Sequence, residues 1–192
     1  MVNAEEVFVE SGTKTEGHFL LTSGLHSPVY WEKFRVLQFP QYTEQLCRIM
    51  AEHFRPENPQ VVVGPTTGGV ILSFEVARQL GLRGLFVEKN DSGERTLKRG
   101  FNIGKDERVL IVDDILTTGG SVREVVSAVK KAGGDIIGIA VMVDRSGGSL
   151  HFGNIPLFAC LSAETIAYRP DDCPLCRTGV PLIKPGSSKP EA

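Results

Sequence analysis

Val109-Leu110-Ile111-Val112-Asp113-Asp114-Ile115-Leu116-Thr117-Thr118-Gly119-Gly120-Ser121 is the stretch on which the architecture turns. Val109 to Val112 have the length and β-branching of a strand buried on both faces. Asp113 and Asp114 come where such a strand should end, and an amphipathic run from Val122 to Ala132 follows the glycines. Strand, polar turn and helix in that order present free backbone N–H groups to an anion at the helix start. Gly119 and Gly120 let a ligand approach the main chain closely. Thr117, Thr118 and Ser121 add hydroxyl donors suited to phosphate oxygens. Carboxylates cannot serve a phosphate directly, so the acids need sugar hydroxyls or a hydrated cation. A phosphorylated sugar meets both demands. The plainer reading is a solvated strand end beside a helix cap. It is weaker, because capping takes one hydroxyl and adjacent carboxylates repel each other.

The same grammar occurs again upstream. Val61-Val62-Val63 is a second buried strand running into Gly64-Pro65-Thr66-Thr67-Gly68-Gly69, and an apolar-faced helix follows from Val70 to Leu80. Two such turns on one sheet edge make two anion cradles, where open parallel sheets bind ligands. Leu85-Phe86-Val87 begins a third strand, Ile136 to Val143 a fourth and Leu157 to Leu161 a fifth. Strands alternating with helices favour an α/β fold with a doubly wound parallel sheet.

Outside this core the chain opens with a short helix within 1–11. Two strand-like runs follow around a Ser-Gly turn, Gly17 to Trp31, and form a small N-terminal hood (about 12–36). Tyr30, Trp31 and Phe34 concentrate aromatic rings in a chain that is only 7% aromatic. A helix is expected over 41–54, with His53 as an outward residue. The segment from Lys89 to Gly100 holds four basic residues (Lys89, Arg95, Lys98, Arg99) against two acids and almost nothing apolar. It reads as a mobile surface loop, either an idle solvated run or a lid bringing cations to a departing charge. The tail from Tyr168 is proline-rich and expected to be irregular (166–186), and residues 187–192 are expected to be disordered. The whole of 1–186 reads as one domain with its core over about 41–165.

Composition narrows the function classes. Of 192 residues 41% are hydrophobic and 23% charged, as in ordinary globular proteins. A net charge of −2 argues against a general nucleic-acid binder. No apolar run approaches a membrane span, and no signal peptide is visible, so a cytoplasmic location is expected. Cys47 and Cys160 sit among apolar residues as small hydrophobes. Cys173-Pro-Leu-Cys176 has zinc-ligand spacing, but neither a second pair nor a nearby histidine completes four ligands. A redox pair or half of a metal site shared across a dimer is open; a structural role without metal is the expectation.

The thirteen-residue motif closely resembles the phosphoribosyl-pyrophosphate (PRPP) motif of type I phosphoribosyltransferases. Scattered matches from about Gly17 to Gly186 resemble the orotate-specific members. The resemblance implies that Asp113 and Asp114 hold the ribose hydroxyls, and that Thr117, Thr118, Gly119, Gly120 and Ser121 hold the 5′-phosphate. Thr66, Thr67 and Gly68 would take the pyrophosphate with Lys89, and Mg²⁺ would ride on PRPP with no direct protein ligand. Arg95, Lys98 and Arg99 would act from a loop (89–100) that reaches into the neighbouring subunit of a homodimer. Arg145, closing the strand that ends in Asp144, would reach the orotate carboxylate, with Thr117 beside it and Tyr30 and Trp31 over the flat ring. The chain departs from the family at three places. Thr22 and Gly68 stand where lysine is frequent, with Lys33 a candidate for the first missing charge, and the loop has no histidine. The implied activity is phosphoribosyl transfer from PRPP to orotate. The rivals are a phosphoribosyltransferase for a purine or uracil, and a PRPP- or nucleotide-sensing regulator on the same fold.

Overall fold

In the computed structural model the sheet has six strands in the order β5-β4-β3-β6-β7-β8, and residues 3–21, 23–163 and 166–185 are described. Thr22 and the segment 187–192 lie outside the described residues. The strands are β3 (Val61–Pro65), β4 (Arg83–Lys89), β5 (Arg95–Leu97), β6 (Arg108–Leu116), β7 (Asp135–Asp144) and β8 (Leu157–Ser162). All pairs are parallel except β4 with β5. Both faces of the parallel part are covered, so its strands are continuously apolar and successive residues feed opposite cores. Val62, Leu110, Val112, Ala140 and Met142 pack on one side. Val61, Val63, Val109, Ile111, Ile139 and Val141 pack on the other.

Helices α1 (Ala4–Glu10), α2 (Lys33–Leu37), α3 (Pro40–Phe54) and α4 (Gly68–Leu80) contribute to the first core. Helix α5 (Gly120–Ala132) contributes to the second. The expected helix over 41–54 is α3, and its exposed His53 stacks on Phe158 at 3.9 Å between ring centroids. Phe54 closes α3 against the sheet at Gly138, where an added Cβ would lie 2.0 Å from Cε1 of the Phe54 ring. Phe54 is fully buried and has nowhere to go. Gly138→Ala is therefore expected to destabilise the fold by about 1–3 kcal/mol, since overpacking forces ring or strand to shift. Urea unfolding measures this; an unchanged midpoint would mean that the ring turns aside freely.

The hood is a hairpin of β1 (Lys14–Leu20) and β2 (His26–Trp31), paired antiparallel around the expected turn. The tail is irregular apart from a 3₁₀ turn (Pro170–Asp172) and the one-turn helix α6 (Pro174–Arg177). Backbone bonds stitch it to the hairpin: His26 and Tyr168 exchange N–H···O bonds of 2.9 and 2.8 Å, and Ile183 N–H donates to His18 O at 2.8 Å. One expectation fails here. His18 and His26 lie against Cys173 and Cys176, so the cysteine pair does not lack histidines and needs no second subunit to supply them. A second correction concerns 89–100. Rather than surface loop throughout it contains β5, whose half-buried Arg95, Thr96 and Leu97 pair with Lys89, Glu88 and Val87. Among the described residues no helix is long and apolar enough to cross a membrane.

Candidate active site

β3 and β6 are parallel neighbours, with Val61 opposite Val109 and Val63 opposite Ile111. The helix after β3 leads outward to β4, whereas the helix after β6 leads the other way to β7. The chain therefore diverges at this pair, and the crevice beyond their carboxyl ends is where such sheets bind ligands. Both glycine-bearing turns empty into it. Neither α4 nor α5 has a side-chain N-cap; apart from the Val70 N–H, which donates to Thr67 O at 3.2 Å, their first-turn N–H groups are available to a ligand or solvent. Gly119 holds φ at +75°, and a Cβ there would come within 3.1 to 3.2 Å of Leu150 and Phe152. Only glycine satisfies both constraints.

Asp113 and Asp114 are each 4% exposed and, as adjacent strand residues, point to opposite faces. Asp113 turns toward α5: its Oδ2 accepts from Ser121 Oγ at 2.7 Å and its Oδ1 from the Asp114 N–H at 2.8 Å. Burial, and then the charge of Asp114, pushes the Asp113 carboxyl up to about 6, against the pull of the Ser121 hydroxyl. Asp114 turns toward the hood, where Lys33 Nζ lies 2.8 and 3.0 Å from its two oxygens. The Ile115 N–H donates to it at 2.7 Å. A Cβ on Gly68 would sit 2.0 Å from Asp114 Oδ2. The absence of a side chain at 68 thus leaves room for the acid, and the lysine beside that acid comes from α2.

A cleft of about 790 Å³ opens on the Lys33 side of Asp114, lined among others by Tyr30, Lys33, Thr117, Thr118 and Arg145. Thr117 and Thr118 are exposed. Arg145 is positioned by its N–H, which donates to Leu116 O at 2.8 Å and so ties the end of β7 to that of β6. Burial lowers its guanidinium below the usual arginine value, yet it stays a cation. Tyr30 and Trp31 alternate across β2. Tyr30 is half-buried beside the cleft, whereas Trp31 is 7% exposed and packs edge-on against Phe8 at 5.7 Å. Trp31 touches the cleft only from the core. Phe34, at the cleft with 47% exposure and Lys33 Nζ 5.4 Å from its ring centroid, is the aromatic left more open.

Of the loop cations, Arg95 alone is brought to a cradle. Its Nη1 donates to Thr66 O at 3.2 Å and Thr66 Oγ1 at 3.1 Å, while its Nε pairs with Glu124 at 2.8 Å. Lys98 donates to Lys89 O at 2.9 Å, and Arg99 pairs with Glu88 at 2.6 Å. Lys89, Lys98 and Arg99 are exposed and bonded within their own hairpin or not at the cradle. Ser121, read from sequence as a phosphate donor, spends its hydroxyl proton on Asp113. Two residues escaped the sequence reading in these roles. Lys33 is legible only as a candidate for the charge missing at position 22, with no sign that Asp114 is its partner, and Glu124 only as an ordinary helix acid.

Residues 35–157 match the family model of the phosphoribosyl transferase domain. A solved structure of similar fold is the orotate phosphoribosyltransferase of Aeropyrum pernix, with TM-score 0.72, 24% identity, and coverage of 84% of this chain and 93% of that one. The chain thus carries a phosphoribosyl transferase domain with the fold of that class. Among sequence relatives, the orotate phosphoribosyltransferase of Pelotomaculum thermopropionicum is 51% identical over 183 residues, 95% of each chain. That of Caldanaerobacter subterraneus is 46% identical over 184 residues, 96% of each. The chain belongs to the orotate phosphoribosyltransferases, within the type I phosphoribosyltransferase family.

Proposed function

We propose that this protein moves the phosphoribosyl group of PRPP onto orotate, releasing pyrophosphate and forming orotidine 5′-monophosphate. The observation that carries the choice of base is Arg145, a half-buried guanidinium sharing one cleft with Tyr30, Lys33, Asp114 and the Thr117-Thr118 turn. A planar fork beside a ring face suits a flat heterocycle bearing a carboxylate. A purine or uracil has no carboxylate and would leave that cation without a partner in the substrate.

The chemistry asks for positioning and charge more than for proton transfer. The C1′–O bond breaks with its electron pair leaving on pyrophosphate, the C1′–N bond forms from the ring nitrogen, and the ring proton goes to solvent. The α5 cradle takes the 5′-phosphate and the α4 cradle the pyrophosphate, with Arg95 bracing the latter turn at Thr66. Asp113 and Asp114 accept the ribose hydroxyls and lie close to the positive charge that develops on the sugar. Phosphoribosyl transfer from PRPP in this family draws on a divalent cation. Here Asp114 already carries Lys33 on both oxygens, and Asp113 accepts two protein donors. Mg²⁺ is therefore better held through substrate oxygens and water than by a protein cage, as is its habit. Its contribution is to neutralise the leaving pyrophosphate.

Lys98 and Arg99, exposed at the end of a hairpin, suit a homodimer in which 89–100 serves the neighbouring subunit. All four cysteines are free thiols, in keeping with a cytoplasmic setting. An assay of orotate, hypoxanthine, adenine, xanthine and uracil with PRPP and Mg²⁺ tests the proposal. Orotate should turn over fastest, and another base doing so would overturn it. The proton on Asp113 adds a further expectation. The ionised carboxylate binds the hydroxyls, so kcat/KM for PRPP should fall about tenfold per pH unit below about 6. The limb should vanish in Asp113→Asn; persisting there, it would belong to the substrate's own phosphates.

A further inference from the structure

Where the tail crosses the hood, four side chains that do not line the cleft turn metal-binding atoms toward one point. His18 comes from β1, His26 from the start of β2, Cys173 from the end of the 3₁₀ turn and Cys176 from α6. Their ligand atoms all lie within 4.8 Å of one another. His18 Nε2 is 3.0 Å from His26 Nδ1, 3.4 Å from Cys173 Sγ and 3.7 Å from Cys176 Sγ, and Cys176 Sγ is 3.3 Å from His26 Nδ1. A tetrahedral zinc with bonds of about 2.05 Å to nitrogen and 2.3 Å to sulfur separates its ligands by roughly 3.3 Å (N···N) to 3.8 Å (S···S). Three of these four separations fall within that range, and the two histidine nitrogens at 3.0 Å are slightly closer.

The supporting contacts point the same way. His18 Nδ1 lies 2.8 Å from Val180 O, a carbonyl that can only accept, so Nδ1 carries the proton and Nε2 turns a lone pair inward. A backbone carbonyl on the far nitrogen is the usual means of fixing a ligating histidine. Both cysteines are free thiols rather than a disulfide. His18, His26 and Cys173 are buried. Two thiols and two imidazoles packed this closely have few good hydrogen bonds to offer one another.

We propose that His18, His26, Cys173 and Cys176 form a structural zinc site that clamps the C-terminal tail onto the hood. Nitrogen and thiolate donors exclude Mg²⁺ and Ca²⁺, and the space suits one ion rather than a two-iron cluster. Four protein ligands leave no open position, so the ion would hold structure and take no part in the reaction. The clamp is nonetheless coupled to the cleft. Leu20 and Leu21 on the hairpin and Pro185 on the tail line it, and all lie within a few residues of a ligand or of its stitching bonds.

Elemental analysis of the full-length protein, purified without chelators or immobilised metal, should find one zinc per chain. After exchange with Co²⁺, the visible spectrum should show intense tetrahedral d–d bands and a thiolate charge-transfer band. Cys176 is exposed, so Cys176→Ser is the variant least prone to misfold; it should lose both the stoichiometric zinc and the charge-transfer intensity of a two-thiolate site. A zinc chelator should lower the unfolding temperature of the parent protein by roughly 5–10 °C and leave Cys176→Ser unmoved. The proposal is overturned by protein that lacks stoichiometric zinc and gives no tetrahedral cobalt spectrum. It is equally overturned if Cys176→Ser keeps the parent spectrum.

Discussion

Arg145→Ala should raise the KM for orotate by roughly 10²- to 10³-fold while the Kd for PRPP stays within about twofold. The size follows from what is removed. A carboxylate facing a half-buried guanidinium makes charge-assisted bonds, and truncating such a partner costs about 2–5 kcal/mol. The selectivity follows from position. Arg145 leaves the end of β7, beyond β6, whereas the two cradles lie at β3 and β6. Its backbone N–H bond to Leu116 survives the substitution, so the sugar side should be undisturbed. Steady-state kinetics with each substrate varied in turn, together with calorimetric titration of PRPP, separate the two effects. Equal losses for both substrates would remove Arg145 from the base.

Asp113→Asn should lower kcat by about 10²- to 10³-fold, the cost typical of one pre-placed electrostatic partner, and make the protein more stable at neutral pH. The second half depends on the sign of the titration shift. The folded carboxyl titrates near 6, above its unfolded value, so the folded state binds protons more tightly. Its stabilising contribution is complete below the unfolded value and is lost as pH rises through about 6. At pH 8 the buried charge therefore weighs against folding. Asparagine removes that burden and keeps the local bonds: its oxygen can accept the Asp114 N–H while its amide donates to Ser121 Oγ, since a hydroxyl also accepts. A gain of about 1–3 kcal/mol, roughly 3–10 °C in Tm, is expected at pH 8 and should shrink toward pH 4. Thermal melts across that range, paired with activity, check it. A less stable variant at pH 8 would mean that the ionised acid is held by more than the two donors observed.

The sheet was legible because each parallel strand is a short β-branched run and each turn into a helix is marked by glycine. Those are local signals, and they gave β7 to within one residue at each end; β3 and β6 run on past their apolar runs to Pro65 and Leu116, so the two acids lie within β6 rather than at its end. The acid pair was legible for the same reason, since its position relative to strand and helix is written in consecutive residues. What the acids touch was not. Lys33 reaches Asp114 from 81 positions away, and Gly68 is required by the closeness of that same carboxylate, a fact of packing with no echo in its own neighbours. The 89–100 segment reads as a surface loop because its charges mask a three-residue edge strand, whose pairing with β4 stabilises what composition alone would leave in water. The histidines beside Cys173 and Cys176 were hidden for a simpler reason: about 150 residues separate them along the chain, and only the antiparallel hood returns both to the tail.

The divergence of the chain between β3 and β6 divides labour within the molecule. In the proposed reaction, sugar phosphate and pyrophosphate fall to main-chain amides at the sheet's centre, features set by backbone path and tolerant of side-chain change. The choice of base would fall to Tyr30 and Arg145, which lie on the hairpin and at a strand end, outside that grip. Acceptor preference can therefore drift by altering the periphery while the sugar-handling machinery stays intact, so one scaffold could be retuned toward other heterocycles without being rebuilt.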